Sequence, residues 1–195
     1  MASLFYWPTA NQMRLCVHCW FAPTRHQGIR PLVTRVECYD TIVVGGGQAG
    51  LAAGYHLAQK DIDFLILDGN ERVEDSWRNR WEERYAERFD LPVRRNTRVT
   101  NLEWDGERFV LSTRSVTYLG NNVIVATGAR ERLPDYGWIA LPVFGNDGYP
   151  RQERGVVAEA PGLYFLLRFQ DRQTSRLGEG VGADAAYIAE VIRRS

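Results

Sequence analysis

The chain has 195 residues, 24 Lys or Arg against 24 Asp or Glu, and 45% hydrophobic residues. Balanced charge gives none of the basic footprint that nucleic acid or an anionic membrane surface attracts, and no apolar run approaches the ~18 residues of a membrane span. Neither partner is expected, and the length allows one domain or little more.

The first 38 residues stand apart. They hold all three cysteines, Cys16, Cys19 and Cys38, and no acid before Glu37, whereas Arg14, Arg25, Arg30 and Arg35 make the stretch basic. Cys16-Val17-His18-Cys19, with His26 nearby, invites a zinc reading. Structural zinc wants four ligands in paired spacings, and no second pair follows, so no metal is expected. An odd, sparse cysteine count is not a disulfide framework, which makes a reducing, cytoplasmic setting the default. Lacking a steady period or an apolar h-region, residues 1–38 read as a poorly ordered leader, and the organised part as a single domain over 39–195.

That part opens with "YDTIVVG", an apolar, β-branched run that reads as a fully buried strand. A helix is expected over Gln48–Gln59, rich in Ala and Leu with a small-residue face. "DFLILD", residues 63–68, reads as the next buried strand, which completes a βαβ unit. Between strand and helix lies Gly45-Gly46-Gly47-Gln48-Ala49-Gly50, a GxGxxG run. Gly45 permits the tight turn, Gly47 lets backbone amides approach a pyrophosphate, and Gly50 lets the helix pack close to the strand. The helix N-terminus then offers unpaired N–H groups. Asp68, 18 residues beyond Gly50, is placed to accept hydrogen bonds from the adenosine ribose. The pattern predicts dinucleotide binding and leaves open whether the dinucleotide is NAD or FAD.

Trp77, Trp81, Tyr85 and Phe89 follow at intervals of four. On a helix they form one aromatic stripe. For Trp81, Tyr85 and Phe89 the stripe is expected to pack on the sheet; a wall against a flavin is the other reading, and it stays open for Trp77. Residues 91–125 look β-rich. "LPVRRNTRVTNLEW" leads into the hairpin signal Asp105-Gly106, then "RFVLSTR", "VTYLG" and "NNVIVATG". Three or four short antiparallel strands therefore precede a buried strand ending at Ala126-Thr127-Gly128. Residues 129–161 read as loop. "GLYFLLRF" is a last strand, and "GADAAYIAEVIRRS" is a helix with Ile188, Val191 and Ile192 inward and Arg193 and Arg194 at its C-terminal end. The expected fold class is α/β: a Rossmann-like parallel sheet with an inserted antiparallel β-meander. A plain NAD dehydrogenase would continue with further βα units; the meander and the return strand ending in ATG instead resemble the FAD domains of glutathione-reductase-type flavoproteins. No acid, base or nucleophile stands out, and His56 reads as structural.

"YDTIVVGGGQAGLAAGYHLAQKDIDFLILDGNERVEDSWRNRW" resembles the start of bacterial flavin-containing monooxygenase-like proteins. "GWIALPVFGNDGYPRQERGVVAEAPGLYFLLRFQ" with "GVGADAAYIAEVI" resembles their end. The resemblance implies an FAD-dependent oxidoreductase whose flavin is reduced by NAD(P)H and reoxidised by oxygen, with a small-molecule substrate. Carried over by position, Gly45, Gly46, Gly47, Gln48, Ala49 and Gly50 line the pyrophosphate and Asp68 holds the ribose. Ser76 and Trp77 match a loop against the FAD, Val99 offers its backbone to the adenine, and Ala126, Thr127 and Gly128 match the strand end beside the cofactor. The sequence departs from the family where "VIVATG" runs almost directly into "ARERLPDYGWIALP". The family's inserted NADPH domain, with its second GxGxxG, is missing near 128–135. Glu74 stands where relatives usually have Gly, and Asp171, Gln173, Arg176 and Glu179 replace apolar or small residues. NADPH remains a possible donor, and a separate reductase or partner chain is another. The alternatives are a catalytically inactive dinucleotide-binding remnant and a partner-dependent NAD-binding module.

Overall fold

The computed structural model describes residues 35–70, 84–128, 136–166 and 179–195. In chain order the elements are β1 (Arg35–Val44), α1 (Gln48–Ala58), β2 (Phe64–Leu67), β3 (Val93–Arg94), β4 (Asn101–Trp104), β5 (Phe109–Ser112), β6 (Val116–Val125), β7 (Leu163–Phe165) and α2 (Glu179–Arg194). One mixed sheet carries all seven strands in the order β3-β2-β1-β6-β5-β4, with β7 also paired to β6. The pairs β3-β2, β2-β1, β1-β6 and β6-β7 are parallel, whereas β4-β5 and β5-β6 are antiparallel. The fold is therefore α/β and Rossmann-like, with an antiparallel meander inserted before the return strand.

The apolar strands are buried on both faces, as parallel strands between two layers are. Ile42 and Val44 of β1, Leu65 and Leu67 of β2, and Val123 and Val125 of β6 enter one core. The alternate residues Val43, Ile66 and Ile124 enter the other, against Leu51, Ala53 and Leu57 of α1 and Ile188 and Ile192 of α2. The first core is closed by the meander and by the segment 136–157, through Leu102, Phe109, Leu111, Ile139 and Val143. Helices thus cover one face of the parallel sheet and the meander covers the other.

A kink lets one pair of long strands serve both layers. Tyr39 and Ile42 lie three apart, and Tyr118 and Val123 five apart, spacings that an unbroken strand would send to opposite faces. All four nevertheless pack in the first core. The β1–β6 ladder is interrupted between Tyr39↔Gly120 and Thr41↔Asn122. There Asn121 Nδ2 donates to Asp40 Oδ1 at 3.0 Å. Below the kink β6 pairs with β5, and above it with β7.

Three expectations need correction. β1 starts at Arg35, not near Tyr39, because residues 35–39 pair with Val116–Gly120 in the lower half of the ladder. Their charges are accommodated at its margin. Arg94 Nη1 donates to Glu37 Oε2 at 2.7 Å and to Tyr118 Oη at 2.8 Å, while Arg35 Nε lies 2.9 Å from Glu37 Oε1. "VTYLG" and "NNVIVATG" form one strand, bent at the point where the sequence suggested a break. Val93–Arg94, expected among the antiparallel strands, is instead the parallel edge strand beside β2.

The hairpin at Asp105-Gly106 joins β4 to β5, and Asp105 Oδ1 accepts the N–H groups of Glu107 and Arg108, both at 2.8 Å. α2 begins at Glu179, three residues before the expected helix. Tyr85 and Phe89 pack edge-on and tilted against each other and against Tyr55, with the Tyr55–Phe89 centroids 4.8 Å apart. Both belong to the margin of the helical core, where these ring contacts are with Tyr55 of α1. Glu74, Trp77, Trp81, Asp171, Gln173 and Arg176, and the cysteine-rich stretch before Arg35 with Cys16, His18, Cys19 and His26, lie outside the described residues. Among the described residues no helix is long and apolar enough to cross a membrane, and no cluster of three or more His, Cys, Asp or Glu could hold a metal.

Candidate functional site

The carboxyl ends of β1, β2, β3 and β6 gather at one edge of the sheet, where open α/β sheets bind ligands. Gly45 follows β1 directly and donates its N–H to Leu67 O of β2 at 2.8 Å. On the other side Ala126 N–H donates to Val44 O at 2.8 Å, so the loop is held between the ends of β2 and β6.

The glycines are demanded by space. Gly45 has φ +115°, and a Cβ there would lie 2.4 Å from Ala126 O. A Cβ on Gly46 would lie 2.8 Å from Asp68 Oδ2, and one on Gly50 only 1.9 Å from Gly45 O. The first turn of α1 is thereby pressed onto the loop. Its first helical bond runs from Leu51 N–H to Gly47 O at 3.0 Å, and Gly47 caps the helix without a side-chain hydrogen bond. The preceding N–H groups, through Gln48, Ala49 and Gly50, are the orphan donors of a helix start and carry its positive dipole end. Gly54 continues the close approach: its Cβ would lie 2.7 Å from Ile66 Cδ1 of β2.

Asp68 is fixed by its neighbours. Its N–H donates to Arg94 O at 2.9 Å, and its carbonyl accepts Thr97 N–H at 2.8 Å. Asp68 Oδ1 accepts the Asn70 N–H and Asn70 Nδ2 at 3.1 and 3.0 Å, which leaves Oδ2 beside Gly46. The loop after β3 packs on this turn, for a Cβ on Gly69 would lie 3.2 Å from Arg98 Cα. Val99 follows, with its side chain in the core and no backbone hydrogen bond among the described residues. Ala126 is buried, whereas Thr127 and Gly128 are exposed, Gly128 at φ +77° with open space around it.

The structure therefore brings together the glycine loop, Asp68, the 97–99 turn and Ala126-Thr127-Gly128. Ser76 and Trp77 lie outside the described residues. Asn70, which orients Asp68, was missed in the sequence; an acid followed two residues later by an amide in "DGN" is the local signal for such a turn.

A second feature lies on the helical side. A cavity of about 220 Å³ opens between α1, Tyr85 and the first turn of α2, with Gln48, Leu51 and His56 among its walls. Burial, and then the nearby Lys60 charge, push the His56 pKa below its ordinary value.

The family described as pyridine nucleotide-disulphide oxidoreductase matches residues 39–148. An uncharacterized CzcO-like oxidoreductase of Geobacillus kaustophilus is 32% identical, over 46% of this chain and 36% of that protein. The CzcO oxidoreductase of Bacillus subtilis is 28% identical with the same coverage. The matched region thus spans little more than a third of these relatives. Among solved structures, a flavin-containing monooxygenase from Stenotrophomonas maltophilia is 27% identical over 47% of this chain and 38% of its own, with a TM-score of 0.43.

Proposed function

The chain belongs to the pyridine nucleotide-disulphide oxidoreductase family, and from that membership we propose that it is an FAD-binding oxidoreductase domain of the flavin-containing monooxygenase type. The observation that carries the reading is the closure of Gly50 onto Gly45 with Asp68 Oδ2 beside Gly46. This cradle has no room for side chains, leaves the first N–H groups of α1 without helical partners, and sets one carboxylate at its edge. It fits a dinucleotide whose pyrophosphate is neutralised by amides and whose ribose hydroxyls meet an acid.

In this reading Gly45, Gly46, Gly47, Gln48, Ala49 and Gly50 hold the pyrophosphate by backbone contacts and Asp68 holds the ribose. Val99 offers its free backbone groups to the adenine. Ala126, Thr127 and Gly128, and the Ser76-Trp77 loop, flank the rest of the cofactor. FAD, when bound, supplies the redox chemistry by accepting a hydride equivalent and passing its electrons to an oxidant. The protein's own part is to bind, orient and exclude water. The segment from Gly128 to Tyr136 is too short to carry a second GxGxxG domain. Reducing equivalents would then come from NADPH held without a domain of its own, or from a separate reductase chain. That shortness equally favours the second reading, a dinucleotide-binding domain without turnover.

Thermal shift tests the cofactor. A ligand that binds only the folded state raises the melting temperature. FAD is expected to raise it at lower concentration than NAD. Asp68→Ala should weaken FAD binding about tenfold, the loss of roughly 1.4 kcal/mol expected for hydrogen bonds to a charged group. A greater shift with NAD, or an unchanged FAD affinity in the variant, would overturn the assignment.

A further inference from the structure

The cavity on the helical layer takes no part in the cradle above, apart from sharing Gln48. Gln48, Ala52, Tyr55 and His56 line it along one stripe of α1, at the spacing i, i+4, i+7, i+8 that stacks side chains on one face. The opposite face of α1, through Gly50, Ala53, Gly54 and Leu57, is buried on the sheet. Tyr85 and Gly182 close the cavity from the other side. A Cβ on Gly182 would meet nothing within 4 Å, so the space against α2 is open.

The walls are aromatic with polar tips. Tyr55 stands edge-on to His56 at 5.2 Å and to Tyr85 at 6.4 Å. Tyr55 Oη accepts Gln59 Nε2 at 2.7 Å, which turns its own proton away from that amide. Gln48 adds amide donors and an acceptor. His56, held toward its neutral form by burial and Lys60, adds one donor and one acceptor. Among the described residues the lining therefore carries no formal charge. The volume of about 220 Å³ falls below the roughly 300–1,000 Å³ of pockets for drug-sized ligands, which leaves room for one ring.

We infer that this cavity binds a neutral, single-ring aromatic compound carrying an amide or hydroxyl group. Edge and face contacts with Tyr55 and Tyr85 select an aromatic ring over a saturated one, and the uncharged, desolvating walls disfavour a carboxylate. Because Gln48 also opens the glycine-loop helix, a compound seated here lies beside the dinucleotide cradle. Its role as a substrate, though not its binding, rests on the oxidoreductase reading.

The test titrates benzamide into the full chain by saturation-transfer NMR, with cyclohexanecarboxamide, benzoate and 2-naphthamide as comparisons. FAD affinity is measured separately on the same samples. Benzamide is expected to bind saturably, cyclohexanecarboxamide about fivefold more weakly, and benzoate and 2-naphthamide without saturation. Ala52→Leu, which fills the cavity, should abolish benzamide binding and leave FAD affinity unchanged. Absent benzamide binding, equal binding of all four compounds, or benzamide binding that survives Ala52→Leu would overturn the site. If that variant does not fold, the selectivity among the four compounds on the unaltered chain decides. Benzamide binding without FAD binding would sink the cofactor reading alone, and the reverse would sink this site alone.

Discussion

Gly50→Ala is expected to destabilise the protein by at least about 2–3 kcal/mol and to lower FAD affinity tenfold or more. The added Cβ would sit 1.9 Å from Gly45 O, an atom of the main chain. A flexible side chain could swing away from such a contact, but a carbonyl cannot. Either α1 must lift from the sheet or the loop must shift, and overpacking of this kind costs about 1–3 kcal/mol even where side chains share the strain. Lifting α1 would also separate Ala53, Gly54 and Leu57 from β2, where Gly54 already sits against Ile66 and Phe64. Urea denaturation read against FAD titration would check both effects. An unchanged midpoint with intact affinity would mean that the tight closure is not what organises the loop.

Phe165→Ala should cost about 3–5 kcal/mol, the range for emptying a large aromatic site in a core. Phe165 is 1% exposed. Its ring stands edge-on to Tyr136 at 5.7 Å and to Phe144 at 6.0 Å, and those two stack on each other at 5.2 Å. Its backbone N–H donates to Gly155 O at 2.8 Å. The residue thus ties the irregular segment 136–157 to the last parallel strand. A domain is stable by only about 5–15 kcal/mol, so this loss exceeds half of the smaller figure. Trp104→Ala offers the contrast. Trp104 is 45% exposed and touches Phe109 at its edge, so its loss should stay below about 1 kcal/mol. A Phe165→Ala cost no greater than that of Trp104→Ala would show that the 136–157 segment is not held by this cluster.

Much of the cradle was legible because its requirements are local. Gly45, Gly47 and Gly50 punctuate an apolar strand and an Ala-rich helix, and Asp68 ends the next apolar run at a countable distance. Burial on both faces gives β1, β2 and β6 runs that can be read without knowing their neighbours. Other features depend on contacts between distant segments. Arg35 and Glu37 look like part of a charged leader until Arg94 and Tyr118 are seen to receive Glu37 and its strand. The bend at Asp40 and Asn121 puts Tyr39 and Ile42 in one core against the period of the strand, so alternation alone misplaces one half. Val93–Arg94 is only two residues long, and its direction is set by its partner β2 rather than by its own composition. The cavity at Tyr55 and Tyr85 exists because residues far apart in sequence, from α1 to Gly182 of α2, converge; Tyr85 on its own reads as one more member of an aromatic stripe.

The most direct test of the central claim is the visible absorption spectrum of the purified protein after incubation with FAD and removal of free cofactor, recorded before and after NADPH is added without air. Retained flavin bands are the predicted result, since the proposed function assigns the glycine loop and Asp68 to that dinucleotide. If those bands bleach, the domain accepts reducing equivalents without a second fingerprint; if they persist, it depends on another donor chain. A colourless protein that cannot be loaded with FAD would contradict the account.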